Sequence, residues 1–243
     1  MDITINYSPN FDIKKRTPNK IKFIIFHYTG MQKENKAIKQ LTSEQSKVSS
    51  HYFITNNGKI MTLVPDLYVA WHAGISSWKK YKFMNKYSIG IEISNPGHDY
   101  NYKKFNKKQI NSIINLSKFL IKKYKIKSTY ILGHSDISPD RKKDPGEKFP
   151  WEYLSKNKVG CWHNLNTKIL LKARKEKVDK LEKKTFIQNL YKIGYEKNLI
   201  KKNEKFIKIL TTAFQRRFRQ ELINSEIDKE CLIISKNLVK KFK

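Results

Sequence analysis

The chain has 243 residues, enough for one sizeable core and a small second domain. Hydrophobic residues make up 39% of it, with thirteen each of Phe and Tyr, which excludes a disordered polycation despite a formal net charge of +30. That charge comes from 51 Lys and Arg against 21 Asp and Glu, spread evenly as AT-rich coding would spread them; its functional counterpart is attraction to an acidic polymer.

Residues 1–20 are polar, carry Pro9 and Pro18, and read as a lead-in loop. From Lys22 to Tyr28 a short β-branched and aromatic run bounded by Gly30 predicts a buried strand ending in His27 and Tyr28. Ala37, Ile38 and Leu41 at helical spacing predict a helix over Glu34 to Gln45. H-Y-F-I-T and K-I-M-T-L-V-P flank N-N-G, a hairpin signal. Y-V-A-W-H-A-G follows as a loop. Ser88 to Ser94 alternates strictly, with Ile89, Ile91 and Ile93 on one face and Glu92 on the other.

A helix is predicted from Lys107 to Tyr124, a strand over T-Y-I-L-G-H, and a further helix from F-P-W-E-Y-L. This order implies an α/β fold, a central mixed β-sheet flanked by helices. The charged stretch 164–184 reads as a linker or solvated helix, and three apolar-periodic segments within 185–243 predict a small all-α domain. The catalytic part is thereby expected at 1–163.

Cys161 and Cys231 supply neither a disulfide framework nor a Cys-type zinc site, and buried free thiols are the expectation. The N-terminus has no basic segment followed by an apolar one, and no run of eighteen apolar residues occurs. A cytoplasmic location is therefore expected of the sequence as written, with the cell envelope the alternative if the true start lies upstream.

The chemistry concentrates in I-L-G-H-S-D-I-S-P-D-R-K-K-D-P-G, Ile131 to Gly146. His134 stands where a strand stops, and Pro145 holds Asp144 extended. In an extended segment Lys142 and Asp144 share a side while Lys143 points away. A third ligand must come from elsewhere, and His27 is the obvious candidate. Two imidazoles and a carboxylate make a catalytic zinc set, because three protein ligands leave one tetrahedral position open. Glu92 could carry protons, and Lys142 could stabilise an oxyanion.

Taken singly, each of these residues has a bland explanation. A lone His at a strand end is more often packed or solvated, Glu92 could be a solvated strand residue, and one lysine says little in so basic a chain. His51, His72, His98 and His163 compete as ligands. Spacing alone leaves His72 open.

The chain resembles the zinc-dependent N-acetylmuramoyl-L-alanine amidases of the type 2 amidase family, which includes the peptidoglycan recognition proteins. The matching pieces are F-H-Y-T-G, S-S-H-Y-F-I with G-K-I and L-V-P, A-W-H-A-G, S-I-G-I-E-I, and G-H-S-D-I-S-P-D-R-K-K-D-P-G, in the family's order over roughly residues 20–150. The resemblance is greatest to the AmpD and AmiD branches. It implies His27, His134 and Asp144 as ligands of one Zn2+, Glu92 as acid/base and Lys142 as oxyanion stabiliser. Tyr28, Trp71 and His72 are implied to border the substrate cleft, and His51 to be structural.

Q-N-L-Y-K-I-G-Y, T-T-A-F-Q-R-R-F-R and S-E-I-D-K-E resemble the three-helix peptidoglycan-binding module of the AmiD branch. The alternative is a helical appendage that only packs on the catalytic domain. AmiD-type enzymes are usually exported, whereas AmpD-type enzymes are cytosolic and lack the tail; this sequence joins the tail of one to the N-terminus of the other. The implied activity is hydrolysis of the amide between (anhydro-)N-acetylmuramic acid and L-alanine, with peptidoglycan or a muropeptide as partner and a monomer as the expected state. The rival readings are a non-catalytic recognition protein, which would normally lack one of the three ligands present here, and a nucleic-acid binder, which no motif supports.

Overall fold

The computed structural model describes residues 3–197 and 203–242. Residues 1–2 of the expected lead-in loop, and 198–202 and 243 of the expected helical module, lie outside the described residues. The strands are β1 (Ile3–Ile5), β2 (Phe11–Asp12), β3 (Phe23–Tyr28), β4 (Tyr52–Ile54), β5 (Ile60–Thr62), β6 (Val69–Ala70), β7 (Ser77–Trp78), β8 (Tyr81–Lys82), β9 (Ser88–Ile93) and β10 (Ile131–Gly133). The α-helices are α1 (Glu34–Thr42), α2 (Lys107–Tyr124), α3 (His134–Ile137), α4 (Trp151–Lys156), α5 (Thr167–Ala173), α6 (Lys180–Ile193), α7 (Glu204–Phe218) and α8 (Lys229–Lys241).

Six strands form one mixed sheet in the order β1-β5-β4-β9-β3-β10, antiparallel only between β4 and β5, which are the N-N-G hairpin. The lead-in segment departs from its expected loop: β1 pairs in parallel with β5, and β2 pairs with β6. Two- and three-residue strands gain their hydrogen bonds from a preformed neighbour, so local sequence carries little signal for them.

Alternation along the central strands divides the core into two layers. Ile24, Phe26, Ile89, Ile91, Ile93 and Ile131 pack with Ile113, Leu116 and Leu120 of α2, whose start is fixed by a capping box between Asn106 and Gln109. On the other layer Phe23, Ile25 and Leu132 lie in one continuous apolar cluster with Phe186, Leu190, Leu210, Phe214 and Leu238 from α6, α7 and α8. The stretch 164–184 includes α5, which buries Leu170 and Ala173 in the same cluster. Cys161 and Cys231 are buried free thiols. Among the described residues no helix is long and apolar enough to cross a membrane.

A buried ion pair pins the C-terminal helices to the sheet. Arg217 Nη1 donates to Asp136 Oδ2 at 2.5 Å and Nη2 donates to the Ile131 carbonyl at 2.9 Å, both side chains being 1% exposed. Asp136 also accepts from the Tyr195 hydroxyl at 2.8 Å and from the Gly133 N–H at 2.8 Å. Good hydrogen bonding offsets the desolvation of two charges, and although Arg217 Nε has no partner among the described residues, the guanidinium lies 4.4 Å from the Trp151 ring centroid. Removing one partner strands the other charge. Arg217→Met is therefore expected to lower unfolding free energy by about 3–5 kcal/mol in urea denaturation; a loss below about 1 kcal/mol would show that α7 is not held this way.

Candidate metal centre and active-site cleft

Parallel pairing of β3 with β9 sets His27 opposite Glu92, and pairing of β3 with β10 brings the residue after Gly133, His134, to the same end of the sheet. Asp144 returns to that end on the loop after α3, where the Ser135 N–H donates to its carbonyl at 2.8 Å. His27 Nδ1 is then 2.9 Å from His134 Nδ1 and 3.0 Å from Asp144 Oδ2, and the last two atoms are 3.0 Å apart. All three residues are buried, and they form the His/Asp cluster with metal-ligand geometry among the described residues. A tetrahedral ion with bonds of about 2.0–2.1 Å spaces its ligands about 3.3 Å apart, so these atoms need part by only a few tenths of an ångström to enclose one. The residues present fit a divalent cation.

Hydrogen-bond direction shows which lone pairs are available. His134 Nε2 lies 3.2 Å from the Ala73 carbonyl, which can only accept, so the proton is on Nε2 and Nδ1 carries the lone pair. The same reasoning reaches His27 through three groups. Ser88 Oγ donates to the Met84 carbonyl at 2.7 Å, so it accepts from His72 Nε2–H at 3.1 Å. His72 Nδ1 is thus unprotonated and accepts from His27 Nε2–H at 2.9 Å, leaving His27 Nδ1 to face the triangle. Asn85 Oδ1 accepts from the backbone N–H of His72 and Ala73 at 3.2 and 2.7 Å and holds the loop in place. A Cβ at position 90 would fall 2.5 Å from His72 Cγ, so only glycine in β9 lets this ring lie against the strand.

Burial and neighbouring imidazoles set the charges. Burial, then the proximity of His134, pushes the His27 imidazolium down to about 4, so the ring is neutral near pH 7. Glu92 moves the other way: burial, reinforced by Asp144 and opposed by Lys142, pushes it up to about 8. Its Oε2 is buried without a hydrogen-bond partner among the described residues, as suits a group kept ready to exchange a proton.

Glu92, His134 and Asp144 border a cleft of about 390 Å³ at the carboxyl ends of β3 and β9, between α1 and the Arg141–Asp144 loop. Tyr28, Trp71, His72, Glu92, Lys142 and Lys143 all line it. Tyr28 Oη lies 2.7 Å from His98 Nδ1, and Trp71 Nε1 donates to Asp12 at 2.7 Å. His72 lines the cleft from behind the donor triangle, its two ring nitrogens occupied by His27 and Ser88. Lys142 and Lys143 both line the cleft, so this segment does not keep the alternation that an extended strand predicts. His51 accepts from the Gly90 N–H at 3.0 Å, while His163 stacks on Trp162; neither lines the cleft. Sequence reading did not identify Ser88, Asn85 or Asp136 as supports, and the one available signal was a glycine inside the S-I-G-I-E-I strand.

A mixed sheet that presents two imidazoles, a carboxylate and an orphaned buried acid at one cleft defines a hydrolase with the donor set of a single-metal centre. Residues 17–147 match the sequence profile of the N-acetylmuramoyl-L-alanine amidase family, and the chain belongs to that family. It is similar to N-acetylmuramoyl-L-alanine amidase AmiD of Escherichia coli (strain K12), 33% identical over 237 residues that cover 92% of this chain and 84% of the relative. It is also similar to 1,6-anhydro-N-acetylmuramyl-L-alanine amidase AmpD of Haemophilus influenzae, 35% identical over 61% of this chain and 88% of the relative. The structure of AmpDh3 from Pseudomonas aeruginosa in complex with anhydromuramic pentapeptide superposes with a TM-score of 0.82 at 27% identity, covering 98% of each chain.

Two outcomes are expected. His72→Leu, which cannot accept from His27, should weaken divalent-metal affinity about 10- to 100-fold in a chelator competition, while His72→Asn, which can, stays near wild type; equal affinities would dismiss the relay. The metal-free protein should gain stability as pH rises from about 4 to 6.5, because unfolded histidines bind protons there that buried His27, His51 and His72 do not, three groups against the opposing effect of Glu92, which keeps its proton in the folded state. A melting temperature flat across that window would contradict the neutral assignment.

Proposed function

We propose that the chain hydrolyses the amide between the lactyl group of (anhydro-)N-acetylmuramic acid and L-alanine of the stem peptide, in cell-wall turnover or recycling, using one zinc ion. Family membership supports the reaction, and the near-equilateral triangle of His27 Nδ1, His134 Nδ1 and Asp144 Oδ2 carries the assignment of the centre. The similar AmiD structure, TM-score 0.81 at 32% identity, is a complex with anhydro-N-acetylmuramic acid-L-Ala-D-gamma-Glu-L-Lys, which supports a muropeptide as the substrate class. A zinc ion held by these three donors would leave one position open and supply an activated water and a Lewis acid.

The chain's own groups supply the rest. Glu92, in register with His27 and carrying an unpartnered Oε2, takes a proton from the attacking water and passes it to the departing alanine nitrogen. A group whose pKa sits near neutrality can both accept and return that proton, and Glu92 lies at about 8 before any cation is bound. Lys142, half-buried at the cleft rim, offers its ammonium to the oxygen that gathers negative charge when water adds to the carbonyl. Tyr28 and Trp71, each fixed through its polar atom, border the cleft as surfaces for the sugar and peptide.

Glu92→Gln keeps the shape and removes the exchangeable proton. It is expected to bind metal as wild type does and to lose about 100- to 10,000-fold in turnover; near-normal cleavage would take Glu92 out of the mechanism. Mass spectrometry of products from intact sacculi and from anhydro-muropeptides, with zinc and with a chelator, tests the reaction itself. The expected product is free peptide with an N-terminal alanine from at least one substrate, abolished by the chelator.

A further inference from the structure

We propose that a second groove, adjoining the catalytic cleft across the Arg141–Lys143 segment, binds the carboxylate-bearing peptide arm of the substrate, so that α7 forms part of the substrate site. The proposal rests on the amidase reading above. The groove encloses about 620 Å³ between the Pro139–Lys143 loop and one face of α7, and it shares Arg141, Lys142 and Lys143 with the cleft. A peptide arm that extends from the cleft past that loop would reach it.

The charge of the groove exceeds what the basic composition predicts. Six of its twelve lining residues are cations, against 51 of 243 in the whole chain. On α7 these are Lys205, Lys208 and Arg216, with Asp140 and Glu204 the two acids of the lining. Their spacing places them along one side of the helix over about 16 Å, the reach of about five extended residues. Lys143, Lys205 and Lys208 are exposed, and none has a carboxylate within 4.0 Å among the described residues. Arg216 has only Glu147 nearby, at 3.7 Å, and its buried Nε lacks a hydrogen-bond partner among those residues.

Like charges gathered in a groove repel one another until an anion of matching length enters. A peptide joined through the γ-carboxyl of glutamate, as in the compound bound by AmiD, keeps a free α-carboxylate within the chain and another at its end. A carboxylate-bearing peptide fits this row of cations better than a neutral glycan does. The α7 wall is also rigid: Arg217, next to Arg216, is locked to Asp136, two residues beyond His134. The distance from scissile bond to groove is thereby fixed by the fold.

The test uses two synthetic muramyl peptides, one with free carboxylates and one with the same groups as carboxamides. Wild type is expected to show a KM for the free acid about five- to tenfold lower than for the amide. The double variant Lys205→Glu, Lys208→Glu should raise KM for the free acid by about that factor, with kcat and the KM for the amide little changed. Lys118→Glu, Lys122→Glu on exposed α2 controls for net charge and should move neither KM by more than about twofold. Equal KM values for the two substrates in wild type, an equal effect of the groove variant on both, or the same effect from the α2 variant would each overturn the proposal. Fluorescence titration of labelled free peptide reads binding without turnover. Charge-dependent binding in a protein that cleaves neither substrate would count against the amidase reading alone, and equal peptide binding by wild type and the groove variant would overturn the groove.

Discussion

Parallel pairing of β3 with β9 on one side and β10 on the other is the constraint from which the site follows. In a parallel sheet neighbouring residues in register point to the same face, so strands that are distant in sequence can present His27, Glu92 and His134 to one opening. The central strands can hold this arrangement because most of their other side chains are apolar and buried against helices on both faces. The polar end is then a small exception within a large apolar structure. Stability comes from the layers, and chemistry from the strand ends.

Around that end, the two imidazoles of the donor triangle have their proton directions fixed by backbone carbonyls further back. Ala73 fixes His134 directly, and Met84 fixes His27 through Ser88 and His72. Hydrogen bonds that end on carbonyls cannot reverse, so both Nδ1 lone pairs stay aimed at Asp144. The arrangement needs burial, since water would offer alternative partners. Burial also acts on Glu92, whose Oε2 has no hydrogen-bond partner among the described residues, and pushes it up to about 8.

Much of this was legible in the sequence, because some of it is local. The strand over β3, the N-N-G hairpin, the alternation of β9 and the span of α2 follow from periodicity and turn chemistry, and the G-H-S-D and K-K-D-P segments mark the ends of the donor loop. Spacing could not separate His27 from His72, since both stand in suggestive contexts; pairing register and the Ser88 hydrogen bond distinguish their positions in the fold. The short strands β1 and β2 were not legible, because their partners β5 and β6 lie far along the chain. Nor was the Arg217–Asp136 pair, which joins residues 81 positions apart. Lys143 lines the cleft beside Lys142, so the alternation an extended segment would give does not hold there.

The proposed centre requires two Nδ1 atoms and one carboxylate oxygen to converge on a single ion. Anomalous diffraction at the zinc edge, from crystals grown with zinc, measures this directly. One strong peak is expected about 2.0–2.2 Å from His27 Nδ1, His134 Nδ1 and Asp144 Oδ2, with a fourth position facing the cleft. A map with no peak there, or with zinc bound through the Nε2 atoms, would contradict this centre.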